Sequence, residues 1–191
     1  VAADADIKQA IKGAISGRFG NTGQACNAAK RLIVIESVYD KFVEGFTNAV
    51  SNMTLADPLK EDTFIGPMSS KAAAVNLQAQ LDSAIQAGAT VLVEGGMDKD
   101  KPGAWFKPAV LTGVTESMDV YREELFGPVA VVYKARDVDH AIKIANDVPF
   151  GLGASIQTQD AALAADIADK LEVGMVTINA PSGTEANTPF G

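Results

Sequence analysis

The stretch VAVVYKARDVDHAIKIAND, residues 129–147, contains the two patterns that decide the fold. Residues 129–135 form an almost unbroken apolar run rich in valine, which is typical of a strand buried on both faces of a sheet. A stripe of apolar residues at the spacing of one helix face follows it, formed by Val138, Ala141, Ile142 and Ala145. A buried strand followed directly by an amphipathic helix is the unit from which α/β proteins with parallel sheets are built.

The same alternation of strand and helix patterns runs through the rest of the chain. Further strands are predicted at RLIVI (31–35), TVLVEGG (90–96), FKPAVLTGV (106–114), GASIQT (153–158) and GMVTI (174–178). A helix is also predicted over residues 160–171. The sequence therefore predicts one α/β domain with a largely parallel open sheet flanked by helices.

Polar residues before apolar stripes predict where three other helices begin. Asp4 or Asp6 can cap a first helix, which Gly17 and Gly20 end. Ser37 with Asp40 suits a capping box for a second helix, whose stripe is Tyr39, Val43, Phe46 and Val50. A third helix is predicted to begin at Ser69 or Ser70, with an inward face formed by Ala74, Leu77, Leu81, Ala84 and Ile85.

The composition excludes several functional classes. The net charge is −8, from 16 basic and 24 acidic residues, so neither nucleic acid nor an anionic membrane surface is a predicted partner. No apolar run approaches the ~20 residues that a membrane span needs. With one cysteine and one histidine, neither a disulfide framework nor a zinc site is expected, and a cytoplasmic location is the default.

The single cysteine, Cys26, ends the stretch NTGQAC at 21–26, between the first helix and the first strand. A thiol acts as a nucleophile only as the thiolate, which nearby backbone N–H groups or a cation stabilise. Gly23 permits a tight backbone path on which successive N–H groups could face an oxygen anion. The residues alone leave three interpretations open: a reactive nucleophile, an inert thiol buried as a small apolar residue, or a surface cysteine without a role.

Four segments resemble the NAD(P)-dependent aldehyde dehydrogenases, in that family's order and at compatible spacing. They are FGNTGQAC (19–26), EELFGPV (123–129), NDVPFGLGASIQTQD (146–160) and GMVTINAPSGTEANTPFG (174–191). The resemblance covers the whole chain. It implies that Cys26 attacks an aldehyde carbon and that hydride passes to NAD or NADP, leaving a thioester on the sulfur. It also implies that Glu124 binds the nicotinamide ribose and that Phe126 contacts the nicotinamide.

Within the family, the chain looks most like the succinate-semialdehyde dehydrogenases. The resemblance places Ala25 and Asn27 beside the thiol and Thr184 and Phe190 in a closing segment, as substrate-binding residues. A hydroxyl at Thr184 could hydrogen-bond the distal carboxylate of the substrate.

The resemblance further implies that residues 1–191 are the catalytic domain of a longer enzyme. The dinucleotide-binding domain, the hydrolytic glutamate and an oxyanion-binding asparagine would lie outside this chain, so the isolated fragment is expected to be inactive. The site is expected at the carboxyl ends of the strands and at a domain interface. The whole enzyme is expected to be a dimer or tetramer.

Three alternatives remain open at this stage. The enzyme could act on another aldehyde, or it could be a family member that makes or releases acyl-CoA or reduces an acyl phosphate. The domain could also be a non-catalytic α/β binding module.

Overall fold

The structure of the chain is a computed structural model that describes residues 1–183 and 189–191. The helices are α1 (Ile7–Phe19), α2 (Glu36–Ser51), α3 (Lys71–Gln86), α4 (Val138–Asn146) and α5 (Ala161–Lys170). The strands are β1 (Arg31–Ile35), β2 (Thr90–Val93), β3 (Gly96–Met97), β4 (Phe106–Lys107), β5 (Ala109–Thr112), β6 (Val129–Ala135), β7 (Gly153–Ile156) and β8 (Met175–Ile178).

The main sheet has four strands in the order β1-β6-β5-β2. β6 pairs in parallel with β1 on one side and with β5 on the other, and β2 adds an antiparallel edge. β7 and β8 form a separate parallel pair, and β3 and β4 form a short antiparallel one. The predicted α/β fold with a largely parallel sheet is confirmed.

Helices cover both faces of β6, which explains its apolar run. Ala130 and Val132 point into a core formed with α1 and α2, where Phe42 and Phe46 stack at 5.5 Å between ring centroids. The alternate residues of β6 point to the other face and pack with α3 and α4. A strand buried on both faces does not alternate between polar and apolar residues, and the first five residues of β6, Val129 to Tyr133, are all buried.

The capping predictions hold for two of the three helices. Asp6 caps α1 by accepting from the backbone N–H groups of Lys8 and Gln9 at 3.0 and 3.1 Å. Ser70 caps α3 by accepting from the Ala73 N–H at 3.1 Å. The capping box predicted at Ser37 and Asp40 is wrong: α2 begins at Glu36, directly after β1, and has no side-chain cap. The acidic Glu36 in its first turn is instead favourable for the helix dipole.

Two other expectations about the core are corrected. Ile85 of α3 is 42% exposed, because the buried stripe of that helix stops at Ala84. The predicted strand 106–114 is divided at Pro108 into β4 and β5, which belong to different sheets. Proline has no N–H to donate, so it interrupts a ladder at this position.

Residues 1–2 join β7 to the main sheet. The Ile35 N–H donates to the Val1 carbonyl at 3.1 Å, and the Ala2 N–H donates to the Gln157 carbonyl at 2.9 Å. The next residue, Thr158, donates its hydroxyl hydrogen to the Asp4 carboxylate at 2.7 Å, which anchors the end of β7 to the N-terminal segment. Among residues 1–183 and 189–191, no helix combines the length and apolar character that crossing a lipid bilayer requires.

The stacked phenylalanines make the core beneath α2 sensitive to truncation. Phe46 is fully buried and lies between Phe42 and Phe19. Phe46→Ala is expected to lower the free energy of unfolding by about 3–5 kcal/mol, measured by urea denaturation, because it leaves a cavity in a packed cluster. The matched control is Phe64→Ala: Phe64 is 47% exposed and its truncation is expected to cost less than about 1 kcal/mol. Equal losses in the two variants would contradict this description of the core.

Candidate active site

The loop that carries Cys26 is held in a strained conformation. Three consecutive residues, Asn21, Thr22 and Gly23, have positive φ angles of 51°, 56° and 71°. This region is unfavourable for a β-branched residue such as threonine, so surrounding contacts must maintain it. The Thr22 hydroxyl provides them: it donates to the Gly66 carbonyl at 3.3 Å and accepts from the Gly66 N–H at 3.2 Å.

Further contacts fix the loop on both sides of the thiol. The Gln24 side-chain oxygen accepts from the Ser69 N–H at 2.7 Å. The Ala29 N–H donates to the Gly17 carbonyl at 2.9 Å, which closes the loop against α1. The Cys26 side chain itself is exposed. The interpretation of Cys26 as a buried inert thiol is therefore wrong.

Arg18, in the last turn of α1, joins the thiol loop to the segment EELFGPV. Its side chain is fully buried, and one terminal nitrogen donates to the carbonyls of Gly23, Leu125 and Gly127, the first two at 2.9 and 3.3 Å. Burial lowers the pKa of the Arg18 guanidinium to about 10, and the charge of Glu124 opposes that effect. Arg18 therefore remains a cation at neutral pH.

Lys30 makes a second connection between the same two segments. Its ammonium donates to the carbonyls of Ala25, Cys26 and Ala28 at 2.9, 3.1 and 3.2 Å. It also forms an ion pair with Oε1 of Glu124 at 2.9 Å. Burial lowers the pKa of Lys30, and the hydrogen bond and charge of Glu124 oppose that change.

The structure brings the predicted cofactor residues close to the predicted nucleophile. Glu124 is linked to the Cys26 carbonyl through Lys30, and the Lys30 nitrogen lies 5.6 Å from the centroid of the Phe126 ring. The Glu124 side chain is 37% exposed and Phe126 is 43% exposed, so both are accessible from outside the domain. Cys26, Glu124 and Phe126 therefore belong to one surface.

The site lies at the opposite end of the sheet from the one expected. Cys26 and Lys30 precede β1, and Glu124 precedes β6, which is the parallel neighbour of β1. The site is thus at the amino ends of these strands, and the expectation of a site at their carboxyl ends is wrong. The predicted site residues lie in loops that lead into strands, whereas the rule behind the expectation concerns loops that leave strands.

The predicted substrate residues are dispersed around the thiol. The Asn27 amide donates to the Ser182 carbonyl at 3.2 Å, which ties the thiol loop to the segment after β8. Ala25 contributes its carbonyl to Lys30, and Phe190 is 51% exposed. Thr184 lies outside the described residues.

A cavity of about 630 Å³ adjoins the thiol. Its lining includes Cys26, Asn27 and Glu124 at the site, together with the apolar faces of α1 and α4 and the segment that contains β7. Among the described residues, Ala25, Phe126 and Phe190 are not part of this lining. Within the part of the chain that the structure describes, no three His, Cys, Asp or Glu side chains are grouped closely enough to hold a metal ion.

Reasoning from the sequence missed Arg18 and Lys30. Arg18 stands in the last turn of a helix and Lys30 stands four residues after the cysteine, positions where basic residues are commonly solvated. The one available signal was their proximity to Cys26 in the sequence. Neither hydrophobic periodicity nor charge pattern indicates that a long side chain turns inward to meet backbone carbonyls.

The fold and the site together define a class: an α/β domain that presents an exposed cysteine on a rigid loop beside an acidic and aromatic segment. A sequence profile of the aldehyde dehydrogenase family matches residues 1–191. The chain therefore belongs to the aldehyde dehydrogenase family.

Similar proteins narrow the comparison within that family. The chain is 48% identical over 97% of its length to a Deinococcus radiodurans succinate-semialdehyde dehydrogenase described as NADP(+)-dependent, of which it covers 39%. It is 38% identical over its whole length to an alpha-ketoglutaric semialdehyde dehydrogenase of Bacillus subtilis, of which it covers 40%. The crystal structure of a Streptococcus pyogenes succinic semialdehyde dehydrogenase with NADP+ superposes with a TM-score of 0.94 at 36% identity, over 98% of this chain and 41% of that one. The chain thus spans about two fifths of the length of these relatives.

The strained turn before the thiol predicts a specific sensitivity to a methyl group. A Cβ at Gly23 would meet the Gly127 carbonyl oxygen and the Arg18 guanidinium, and its φ of +71° disfavours any other residue. Gly23→Ala is expected to lower the free energy of unfolding by ~2 kcal/mol. It is also expected to change the rate at which iodoacetamide alkylates Cys26, because the loop backbone must shift.

Gly20→Ala is the matched control for this variant. A Cβ at Gly20 would meet no atom within 4 Å, and its φ of −51° suits alanine. Stability and alkylation are therefore expected to stay near those of the original protein. If Gly23→Ala behaves like Gly20→Ala in both measurements, the result contradicts a close contact between Gly23 and the Gly127 carbonyl.

Proposed function

We propose that the protein oxidises an aldehyde to the carboxylate with NAD or NADP, using Cys26 as the nucleophile. The observation that carries this proposal is the joining of the exposed Cys26 to Glu124 and Phe126 through Lys30. A nucleophile and a carboxylate suited to a nucleotide ribose lie on one surface, which covalent oxidation of an aldehyde requires.

Cys26 supplies the covalent chemistry in this proposal. Its sulfur forms a bond to the aldehyde carbon, and the carbonyl oxygen becomes an oxyanion that the Cys26 backbone N–H can stabilise. Loss of hydride from that carbon leaves a thioester on the sulfur. Water then breaks the carbon–sulfur bond, releasing the carboxylic acid and restoring the thiol.

The accessible face of Glu124 and Phe126 fits a nicotinamide nucleotide. The ion pair with Lys30 uses Oε1 of Glu124, and no contact among the described residues involves Oε2, which can accept a hydrogen bond from a ribose hydroxyl. The exposed Phe126 ring offers an apolar surface to the nicotinamide. When bound, the nucleotide supplies a hydride acceptor.

The substrate that we propose is succinate semialdehyde. Support comes from the names of the relatives, among them the D. radiodurans enzyme at 48% identity and the S. pyogenes structure. The B. subtilis relative, named for alpha-ketoglutaric semialdehyde, makes the longer dicarboxylic semialdehyde the competing substrate. Both compounds carry an aldehyde and a distal carboxylate, so we infer a cationic or hydroxyl-bearing substrate pocket.

We propose that residues 1–191 are the catalytic domain of the enzyme. A dinucleotide-binding domain, encoded elsewhere in the same gene, would pack over Cys26 and Glu124 and complete the cofactor site. The complete enzyme would be a cytoplasmic homodimer or homotetramer. The lengths of the relatives, of which this chain covers 39–41%, support this division.

The substrate proposal is tested on the protein expressed at the full length of its reading frame. Formation of reduced nicotinamide is followed with succinate semialdehyde, with alpha-ketoglutaric semialdehyde and with butanal, a neutral aldehyde of the same carbon count as the first. We expect kcat/KM to favour succinate semialdehyde over butanal by about tenfold or more, because a charge-assisted hydrogen bond recognises the carboxylate. A preference for butanal would contradict succinate semialdehyde as the substrate but would still support oxidation of an aldehyde.

The role of Cys26 is tested with Cys26→Ser in the same assay. We expect turnover to fall by roughly a thousandfold or more, because a serine hydroxyl ionises far less readily than a thiol and is a weaker nucleophile. The melting temperature is expected to change little, because the side chain is exposed. Full turnover by the serine variant would remove Cys26 from the mechanism.

The domain proposal predicts that purified residues 1–191 alone do not reduce NAD or NADP in the presence of aldehydes. The hydrolytic base and most of the nucleotide-binding surface would come from outside this segment. The measurement is absorbance at the wavelength of reduced nicotinamide, with the full-length protein as the positive control. Steady reduction of the nucleotide by the isolated segment would overturn the division into domains.

A further inference from the structure

Lys30 has no assigned role in the proposed reaction, although it is the side chain with the most contacts at the site. Its ammonium carries three hydrogens and lies within hydrogen-bonding distance of four oxygens, those of Ala25, Cys26, Ala28 and Glu124. The side chain is only 16% exposed. A lysine gives up considerable rotamer freedom and hydration to be held this way, so its geometry is tightly specified.

The two contacts of the Ala25 carbonyl fix where the Cys26 N–H points. The Ala25 carbonyl and the Cys26 N–H belong to one planar trans peptide group, so they point in opposite directions. The Lys30 ammonium donates to that carbonyl at 2.9 Å and the Ala28 N–H donates to it at 3.1 Å, so the Cys26 N–H is directed away from both donors, of which only Lys30 is charged. Among the described residues, no acceptor is bonded to the Cys26 N–H, so it is available to an oxyanion.

A charged donor on the carbonyl also strengthens the N–H at the other end of the peptide group. Hydrogen bonds in series polarise one another, and the effect is larger where water is excluded. The contact between Lys30 and the Cys26 carbonyl, at 3.1 Å, fixes the next peptide group in the same way. Two consecutive peptide groups at the nucleophile are thus held by one cation.

We propose that Lys30 is a positioning residue that orients the oxyanion-binding N–H of Cys26 and holds Glu124 at a fixed distance from it. This inference rests on the proposed function, which assigns the oxyanion to the Cys26 N–H and the ribose to Glu124. The same ammonium contacts the peptide group that would stabilise the oxyanion and the carboxylate that would bind the ribose. Any displacement of one group relative to the other must therefore break a contact to Lys30.

The first test compares two reactions of the Cys26 thiol in the full-length protein. Acylation by p-nitrophenyl acetate passes through a tetrahedral oxyanion, whereas alkylation by iodoacetamide does not. Both rates are measured without nucleotide near neutral pH, and each variant is compared by the ratio of the two rates, because both reactions use the thiolate and the ratio cancels any change in its fraction. In Lys30→Met we expect acylation to slow by roughly 10- to 100-fold, because the oxyanion donor is misdirected, and alkylation to change less than about threefold.

Matched variants separate this effect from a general loss of structure. Lys41→Met removes an exposed lysine of α2, and both rates are expected to stay unchanged. Lys30→Arg keeps a cation on a long stem and is expected to recover part of the acylation rate. If Lys30→Met fails to fold, Lys30→Gln takes its place. Equal slowing of acylation and alkylation, or no slowing of either, would overturn the proposal.

The second test measures whether Lys30 acts through Glu124. Dissociation constants for NAD and NADP are determined for Lys30→Met, Glu124→Gln and the double variant. We expect each single change to weaken binding of the preferred nucleotide, and the double variant to be no weaker than Glu124→Gln within about twofold. If the double variant instead raises the dissociation constant by the product of the two single effects, Lys30 does not position Glu124.

Failure of this proposal and failure of the proposed function give different results. If the original protein oxidises no aldehyde but Lys30→Met slows acylation selectively, the positioning of Cys26 stands and the proposed reaction falls. If the original protein oxidises succinate semialdehyde and Lys30→Met changes acylation and alkylation equally, the reaction stands and the positioning role falls.

Discussion

Three backbone carbonyls directed at one buried guanidinium hold the two halves of the site together. Arg18 reaches Gly23 in the thiol loop and both Leu125 and Gly127 in EELFGPV, two segments a hundred residues apart in the chain. Its full burial lowers its pKa, and the nearby Glu124 carboxylate opposes that cost. Without Arg18, these three carbonyls would be buried without that hydrogen-bond donor, and an unsatisfied buried carbonyl lowers the stability of the folded state. The Arg18 contacts, together with those of Lys30, set the position of the thiol relative to Glu124 before any ligand arrives.

The topology of the sheet explains why these particular segments meet. β1 and β6 are parallel neighbours, so the residues that precede them lie side by side at the amino end of the sheet. Lys30 directly precedes β1, and Glu124 lies just before β6. The site at this end is built from segments that lead into strands, and their backbone carbonyls need hydrogen-bond donors. Arg18 and Lys30 supply those donors.

Patterns that repeat along the chain predicted most of the fold, while single contacts escaped prediction. The valine-rich run at 129–135 and the caps Asp6 and Ser70 follow from residue type and local hydrogen bonding, and each is present in the structure. The helix stripes were predicted only in part: Ile85 of α3 is exposed, and the buried residue of α4 is Ile144, which the predicted stripe left out. The Ser37–Asp40 box failed because β1 runs into α2 without a turn, which leaves no position for a cap. The sequence pattern at 106–114 could not show that Pro108 assigns its two halves to different sheets.

At the site, motifs predicted Cys26, Glu124 and Phe126, but the inward turn of Arg18 and Lys30 depends on tertiary structure that no local pattern encodes.

The strained loop before Cys26 combines a rigid backbone with an exposed side chain. The left-handed conformation is costly for the β-branched Thr22, and the contacts of Thr22 with Gly66 offset that cost outside the reacting groups. The Cys26 sulfur is left exposed, while the peptide groups on either side of it are fixed by Lys30. Dipoles that are already oriented need no reorganisation when charge develops on a substrate oxygen, whereas a flexible loop would have to order itself at that moment. The Thr22 contacts, the buried Arg18 and the partly buried Lys30 thus serve the same end, since all of them fix the backbone around the thiol before a substrate binds.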